Sequence, residues 1–279
     1  MNTANSQQMR IDAVHSDEDL MTKYAGIAVL EERVRWGRER AFLGVISLVF
    51  LASSTATIYW CSHMSIARMR MPGQGWLGAA ATFMGIWVVM MVAMMLPSLV
   101  PMLSGYRRSI RAAGETRLAV ITTVAAAGYF FVWAVFGAIT YSVGVGLAAA
   151  EMSLPVLAQS VPIAIGVVLL LSGFIQFSAW KSRELTHCRN APNREPESPD
   201  ARSAWRHGLR LGVHCSLCCC GLMMVLLVTG VMSLGAMALV AAAITAERFA
   251  PWPERTARFT GALVIVAGVV MLTRALGGS

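Results

Sequence analysis

Four of the six cysteines in this chain of 279 residues fall in one short stretch, which is the strongest local indication of chemistry in the sequence. They are Cys215, Cys218, Cys219 and Cys220, and His214 precedes them directly. If the stretch is helical, the i,i+3 and i,i+4 spacing places Cys215, Cys218 and Cys219 on one face. Several thiols on one face are typical of a soft-metal site or of a redox dithiol site.

Two neighbouring side chains extend this predicted metal site. His214 meets Cys218 at i,i+4 spacing, and Met223 lies one turn beyond Cys219. Thiolate and thioether donors favour copper as Cu(I), which is the expected metal. Zinc is the alternative, because three cysteines and one histidine close a tetrahedral zinc site.

A second group of soft donors is made of methionines. Met91, Met94 and Met95 share one face of a predicted helix and are candidate thioether ligands, although methionine also fills gaps in apolar cores. Pro97 and Pro101 follow and are expected to kink or end that helix. With the predicted topology, this helix end lies on the same side of the membrane as the cysteines, so the two groups are expected to be neighbours.

Three further side chains are candidates for a polar site on that side. Glu247 lies at the end of a predicted span, Lys181 lies at the end of another, and Cys188 lies in the following loop. Charged residues close to a membrane are either interfacial or members of a functional site. Cys188 is placed to deliver or accept a ligand.

The elements that carry these residues are predicted to be membrane-spanning helices. The chain is 56% hydrophobic and 14% charged, which is too little charge to cover a soluble globule of this size. A hydrocarbon core about 30 Å thick needs about 20 apolar residues per helix. We therefore expect an all-α fold, a polytopic transmembrane helix bundle of about six or seven spans. The expected spans lie near residues 41–61, 78–103, 118–142, 154–180, 215–230, 233–248 and 259–274.

The apolar stretch 215–245 decides between six and seven spans. As one helix it would rise about 46 Å, well beyond a hydrocarbon core of about 30 Å. Two helices that turn near Gly230 fit better. With a cytoplasmic amino terminus, this arrangement leaves every Lys and Arg on the cytoplasmic side except Arg68, Arg70 and Arg274.

The remaining segments are polar. Residues 1–40 are predicted to be a cytoplasmic tail that either includes an interfacial helix or is a solvated extension of the first span, and residues 41–279 form the transmembrane domain. Residues 182–210 lack an apolar period and are predicted to be a flexible cytoplasmic loop. The net charge of +8 follows from the basic cytoplasmic loops and does not indicate a nucleic-acid partner. The sequence contains neither a GxxxxGK[ST] phosphate loop nor a GxGxxG fingerprint, so nucleotide-driven chemistry is not expected.

Three blocks of residues resemble a known family, the bacterial integral membrane proteins described as predicted metal-binding and classed as domain of unknown function 2182. The resemblance implies metal binding in a multi-pass protein of the bacterial inner (cytoplasmic) membrane. Ser233, Glu184 and Arg248 depart from the family pattern, where Asn, a second cysteine and Lys are expected. The blocks are Trp87 to Pro97 with Pro101 and Met102, then Gln176, Lys181 and Cys188 to Pro192, then Cys215 to Met223 with Gly230, Met232, Met237, Glu247 and Arg248.

Three functions fit these features. The first is an integral membrane protein that binds a soft transition metal at the start of a cysteine-rich helix, for metal handling or insertion. The second is a membrane oxidoreductase, or a subunit of one, that uses the same cysteines as redox thiols or catalytic-metal ligands. The third is a metal-free transporter or scaffold. The expected partners are the lipid bilayer and another membrane or metal-carrying protein, and no catalytic residue is predicted.

Overall fold

The computed structural model describes residues 33, 36–37, 39–63, 75–110, 115–153, 155–190, 200–231 and 233–277, and within these ranges it contains helices and no strand. The all-α prediction is confirmed. The chain divides into two compact units, Met1–Val49, which holds the beginning of the first helix, and Phe50–Ser279, which holds the other helices. The helices are α1 Glu39–His63, α2 Trp76–Ser109, α3 Glu115–Ser153, α4 Pro155–Ile175, α5 Ala179–Asn190, α6 Ala201–Thr229, α7 Leu234–Phe249 and α8 Pro253–Gly277.

Five of the described helices, α1, α2, α3, α6 and α8, are long and apolar enough to cross a membrane. A sixth candidate is the pair α4 and α5, which is bent by 66° at a short break. The prediction of a polytopic helix bundle is confirmed, with five or six candidate spans. Helix α7 has 16 residues, so it rises only about 24 Å and is shorter than a typical hydrocarbon core. A seventh span is therefore not found among the described helices.

The stretch 215–245 is divided between α6 and α7. The break is at Gly230, whose φ of 105° is a backbone conformation that side chains with a Cβ rarely adopt. Ser233 then caps α7, because its side chain accepts a hydrogen bond from the backbone N–H of Ala236. This turn reverses the chain and returns Glu247 and Arg248 to the level of the α6 cysteines.

The prediction of a flexible loop at residues 182–210 is wrong for most of the residues that the structure describes there. Helix α5 continues to Asn190, and α6 already begins at Ala201, while residues 191–199 lie outside the described ranges. The polarity of these segments shows that they face water, but a helix can still form when one face is buried. Leu185 and Ala204 are examples of the buried positions on these two polar helix segments.

Of the two expectations for the prolines, the one that they end the second helix is wrong. Pro97 and Pro101 both lie inside α2, which runs on to Ser109. A proline removes one backbone N–H, so the carbonyls of Ala93 and Pro97, four residues earlier, lose their usual donors. Helix α7 packs beside α2.

Glycines bring α6 unusually close to α3, its main packing partner. A Cβ on Gly208 would clash with the backbone carbonyl of Ala125, and a Cβ on Gly212 would lie 2.9 Å from the carbonyl oxygen of Tyr129. Small residues allow such close backbone approach between helices in membranes. This contact fixes the height and rotation of α6, and therefore the direction in which its cysteines point.

We expect Gly208→Ala to lower the free energy of unfolding by about 1–3 kcal/mol, because the added methyl group overpacks the α3–α6 contact. The matched control is Gly85→Ala, at a helical glycine whose Cβ would meet nothing within 4 Å. This control should be neutral or slightly stabilising, since alanine has the better helix propensity. Unfolding of the detergent-solubilised variants, followed by circular dichroism, measures both effects. Equal stability of the two variants would contradict the packing argument.

Candidate functional site

The cysteine face of α6 points into the protein. Cys215, Cys218 and Cys219 are all buried, whereas Cys220 is only partly buried. Cys215 interacts with Cys219, and Cys219 interacts with Cys218. The i,i+3 and i,i+4 spacing therefore places the three thiols together on one buried face.

A fourth thiol comes from α5. Cys188 is buried, and its side chain interacts with Cys218 across the contact between the two helices. We call Cys188, Cys215, Cys218 and Cys219 the thiol cluster. All four are free cysteines rather than disulfides. The cluster thus collects sulfur atoms from a short polar helix and from a long apolar one.

The guanidinium group of Arg248, from the end of α7, lies against this cluster. Its Nη2 atom is 2.8 Å from the sulfur of Cys215, 3.8 Å from that of Cys219 and 3.9 Å from that of Cys188. Only 8% of the residue is exposed. Because an arginine in a protein stays protonated, a full positive charge is buried among the thiols.

The other half of the same guanidinium group reaches α2. Nη1 of Arg248 donates to the backbone oxygen of Ser98 at 3.4 Å and lies 3.9 Å from the sulfur of Met102. Ser98 lies between Pro97 and Pro101, so this hydrogen bond joins α7 to the proline-containing segment of α2. Arg248 therefore connects the methionine-rich end of α2 with the cysteines of α6.

Tyr129 on α3 completes this side of the cluster. Its hydroxyl oxygen is 2.9 Å from the sulfur of Cys215, and the tyrosine is fully buried. The position of Tyr129 follows from the glycine contact between α3 and α6, because its own carbonyl faces Gly212. A phenol next to a thiol can donate a hydrogen bond to the thiolate when the proton of the thiol is lost.

A buried ion pair lies on the opposite side. Nζ of Lys181 is 2.7 Å from Oε2 of Glu247 and donates to the backbone oxygen of Cys218 at 2.6 Å. Both side chains are almost completely buried. The other carboxylate oxygen of Glu247, and Nε of Arg248, have no hydrogen-bond partner among the described residues. Two of the predicted polar candidates therefore meet beside the cysteines.

His214 lies at the edge of this site and not within the thiol cluster. Nδ1 of His214 donates to Oε2 of Glu184 on α5 at 2.9 Å, and 35% of the histidine side chain is exposed. The ring of His187 stacks on that of His214, with 5.3 Å between the ring centroids. These three residues form a partly exposed group at the contact between α5 and α6.

The predicted methionine ligands are all buried in the helix bundle. Met102 is the methionine whose sulfur contacts the site through Arg248, and it was not among the candidates. Thioether side chains at the other positions fill the apolar core, whatever further role they have. The four candidates are Met91, Met94, Met95 and Met223.

The chemistry of these donors fits a soft metal ion. Four buried thiols lie in one cluster, and soft sulfur donors select ions such as Cu(I). Within the described part of the chain, no group of three or more His, Cys, Asp or Glu side chains is already arranged to hold an ion. Three of the thiols instead contact Arg248, so an ion would displace thiol protons and some of these contacts as it binds.

Sequence reasoning missed two members of the site. Tyr129 sits in a long apolar span, where nothing distinguishes it from the aromatic residues beside it. Arg248 was noted only for its charge and as a departure from a family pattern. The sequence feature that could have identified Arg248 is its position next to Glu247 at the end of a short apolar helix. Charged side chains at such a position need a partner when they are buried.

One comparison with known proteins found a match. The family model named PpoB2, described as a copper chaperone, matches residues 84–271, more than half of the chain. No curated protein and no solved structure matches the chain. The matched residues include every member of the thiol cluster, together with Arg248, Lys181 and Glu247.

We expect the loss of one member of the Lys181–Glu247 pair to destabilise the protein by about 3–5 kcal/mol, because the other charge is then buried without a partner. Lys181→Met and Glu247→Gln test this separately. In the double variant the cost should be clearly smaller than the sum of the two, since both charges are gone. Unfolding in detergent measures all three. Additive losses would show that the two side chains do not depend on each other.

Proposed function

Because this chain belongs to the copper chaperone family PpoB2, we propose that its thiol cluster binds Cu(I) and that the protein passes this ion to another protein. The observation that carries the proposal is the group of four buried thiols, three of which lie within 4 Å of one guanidinium group. Its sulfur atoms come from Cys188, Cys215, Cys218 and Cys219. Copper is the cargo of this site and not a permanent cofactor.

The donor set supports Cu(I) over harder ions. Thiolates bind Cu(I) and zinc, whereas Mg²⁺, Ca²⁺ and Mn²⁺ prefer oxygen ligands. The family description supports copper and gives no support to zinc. A zinc site of three cysteines and His214 would require this histidine to join the buried thiols, but it lies at the edge of the site with 35% of its side chain exposed.

The charges around the cluster also suit a copper–thiolate group. Cu(I) held by two thiolates carries one net negative charge, and Arg248 supplies one positive charge in direct contact with the sulfur atoms. Lys181 and Glu247 neutralise each other. A buried charge is tolerated when a partner compensates it. The site can therefore hold an anionic copper–thiolate group without leaving an unpaired charge in the bundle.

The proposed setting is the bacterial inner membrane, with a cytoplasmic amino terminus. The apolar helices α1, α2, α3, α6 and α8 then cross the lipid, while the polar helix α5 and the polar start of α6 lie at the cytoplasmic surface. The thiol cluster lies where these polar and apolar parts meet. A metal-carrying protein in the cytoplasm or in the membrane is the proposed partner.

Methionines provide weaker donors next to the cluster. Met102 contacts Arg248, and Met223 lies one turn beyond Cys219 on α6. We include Met223, Met91, Met94 and Met95 in the proposal only as thioether donors that assist the thiolates.

A redox function is the second candidate, and one specific observation favours it. Cys188 and Cys218 belong to different helices, yet both side chains are buried and interact with each other. Two neighbouring thiols on different helices can form a disulfide if their geometry permits it. This reaction needs an oxidant, such as a disulfide of a partner protein, and it would release two electrons to that partner.

The central test is copper content. We expect purified protein, loaded with Cu(I) under reducing conditions in detergent, to retain copper with sulfur ligands in its X-ray absorption spectrum. The triple variant Cys215→Ser, Cys218→Ser, Cys219→Ser should lose this copper, because a hydroxyl is a hard, weak donor for Cu(I). Cys220→Ser is the matched control, since Cys220 lies in the same helix but is only partly buried, and it should keep the copper.

Equal copper in the wild type and in the triple variant would overturn the thiol cluster as the copper site. Zinc as the retained metal would favour the closed zinc site. Wild-type protein that holds no metal but forms a disulfide between Cys188 and Cys218 on mild oxidation would favour the redox function.

We expect Arg248→Gln to weaken Cu(I) binding by about 10–100-fold, in the range found for residues that support metal ligands. The neutral side chain leaves the copper–thiolate group without its compensating charge. Arg248→Lys keeps the charge but loses the planar fork that reaches both α2 and α6, so its affinity should lie between the other two. Competition with a coloured Cu(I) chelator measures the affinities. Unchanged affinity in Arg248→Gln would rule out a role for the charge.

A further inference from the structure

We propose that His187 and His214 form a copper uptake pair at the protein surface, which receives Cu(I) before the thiol cluster does. Glu184 orients His214 through a hydrogen bond. The inference rests on the proposed function, because it assumes that copper is the ion that reaches the thiols. It assigns a separate step, ion capture, to residues that lie outside the thiol cluster.

A hydrogen bond to Glu184 orients the ring of His214. Nδ1 of the imidazole is 2.9 Å from Oε2 of the carboxylate, which therefore holds the proton on that nitrogen. In the neutral imidazole, the second ring nitrogen, Nε2, is then the one that offers a lone pair to a metal. Carboxylate–histidine–metal arrangements of this kind are common, and the carboxylate fixes both the tautomer and the direction of the ring.

A second imidazole lies beside the ring of His214. His187 stacks on His214 with a centroid separation of 5.3 Å and an angle of 27° between the ring planes. Two metal–imidazole bonds of about 2.0–2.1 Å each span a gap of about 4 Å. The lone pair of an imidazole nitrogen lies in the ring plane, so His187 has to turn out of the stack before one nitrogen of each ring can bind a single ion, while Glu184 keeps His214 in place. Cu(I) accepts such low coordination numbers, and imidazole is a suitable ligand for copper.

Each histidine of the pair is the sequence neighbour of a cysteine in the thiol cluster. His187 precedes Cys188 on α5, and His214 precedes Cys215 on α6. Consecutive residues on a helix point about 100° apart, so each helix presents a histidine towards the surface and a cysteine towards the interior. An ion held by the two histidines therefore lies over the contact between α5 and α6, with one thiol of each helix directly behind it.

The order of donors makes the inward step favourable. The pair is partly exposed and uses nitrogen, whereas Cys188 and Cys215 are buried and offer sulfur, which binds Cu(I) more strongly. The copper ion keeps its oxidation state, and the thiols that receive it release their protons to water. The incoming species is a labile Cu(I) complex in water, small enough to reach a surface histidine pair.

The experiment measures the rate of copper uptake separately from the affinity. Wild-type protein in detergent is mixed with the Cu(I)–bathocuproine complex in a stopped-flow instrument, and the loss of its colour is followed. We expect His187→Ala with His214→Ala to slow uptake by about tenfold or more, with the equilibrium affinity within about twofold of wild type. The matched control is His63→Ala, an exposed histidine at the end of α1, which should leave both quantities unchanged. Wild-type uptake rates in the double variant would overturn the proposal, and so would an affinity that falls in parallel with the rate.

A second measurement separates failure of this inference from failure of the proposed function. This measurement uses the triple serine variant of Cys215, Cys218 and Cys219. Weakly bound Cu(I) with nitrogen ligands in its X-ray absorption spectrum supports the uptake pair, provided that this copper is lost when both histidines are also replaced. The absence of nitrogen-bound copper in that variant overturns it. Failure of the thiol site itself would be seen in the X-ray absorption spectrum of the wild-type protein, as copper without sulfur ligands.

Discussion

The buried guanidinium group of Arg248 is the constraint on which the site depends. A permanent positive charge inside a bundle of apolar helices is stable only when surrounding groups compensate it. One half of this group faces the sulfur atoms of α6 and α5, and the other half faces Ser98 and Met102 on α2. The charge therefore ties three helices to the end of α7 and fixes where the thiols meet. No carboxylate forms an ion pair with Arg248 among the described residues, so the polar groups around its charge are cysteine sulfur atoms and the Ser98 carbonyl.

The surroundings of the cluster make its net charge depend on the thiols. Lys181 and Glu247 form a neutral pair beside it, and Tyr129 adds a neutral phenol. A hard divalent cation would add positive charge to a site that already holds Arg248 and would find few oxygen ligands. A monovalent soft ion on two thiolates instead produces the single negative charge that the guanidinium group balances. Charge and donor type thus favour the same cargo.

The sequence predicted the fold class and the cysteine face because both depend on local patterns. Apolar length sets the helices, and i,i+3 and i,i+4 spacing sets the shared face of Cys215, Cys218 and Cys219. The predicted loop 182–210 failed because polarity was taken as the absence of structure, although α5 buries Leu185 and Cys188. Tyr129 and Arg248 depend on contacts between distant helices, which no local pattern reveals. The close approach of α3 and α6, permitted by Gly208, is visible only when both helices are in place.

The division of the thiols between two helices bears on how a chaperone can both hold and release an ion. Helix α6 is pressed against α3 by glycine contacts, so Cys215, Cys218 and Cys219 keep their positions. Helix α5 is short and polar and follows a 66° bend after α4, so Cys188 belongs to a less extensively packed element. Transfer of an ion between proteins replaces ligands one at a time. A site that draws one sulfur from a separate helix can lose that ligand while the remaining thiols and Arg248 keep the ion and its charge balanced.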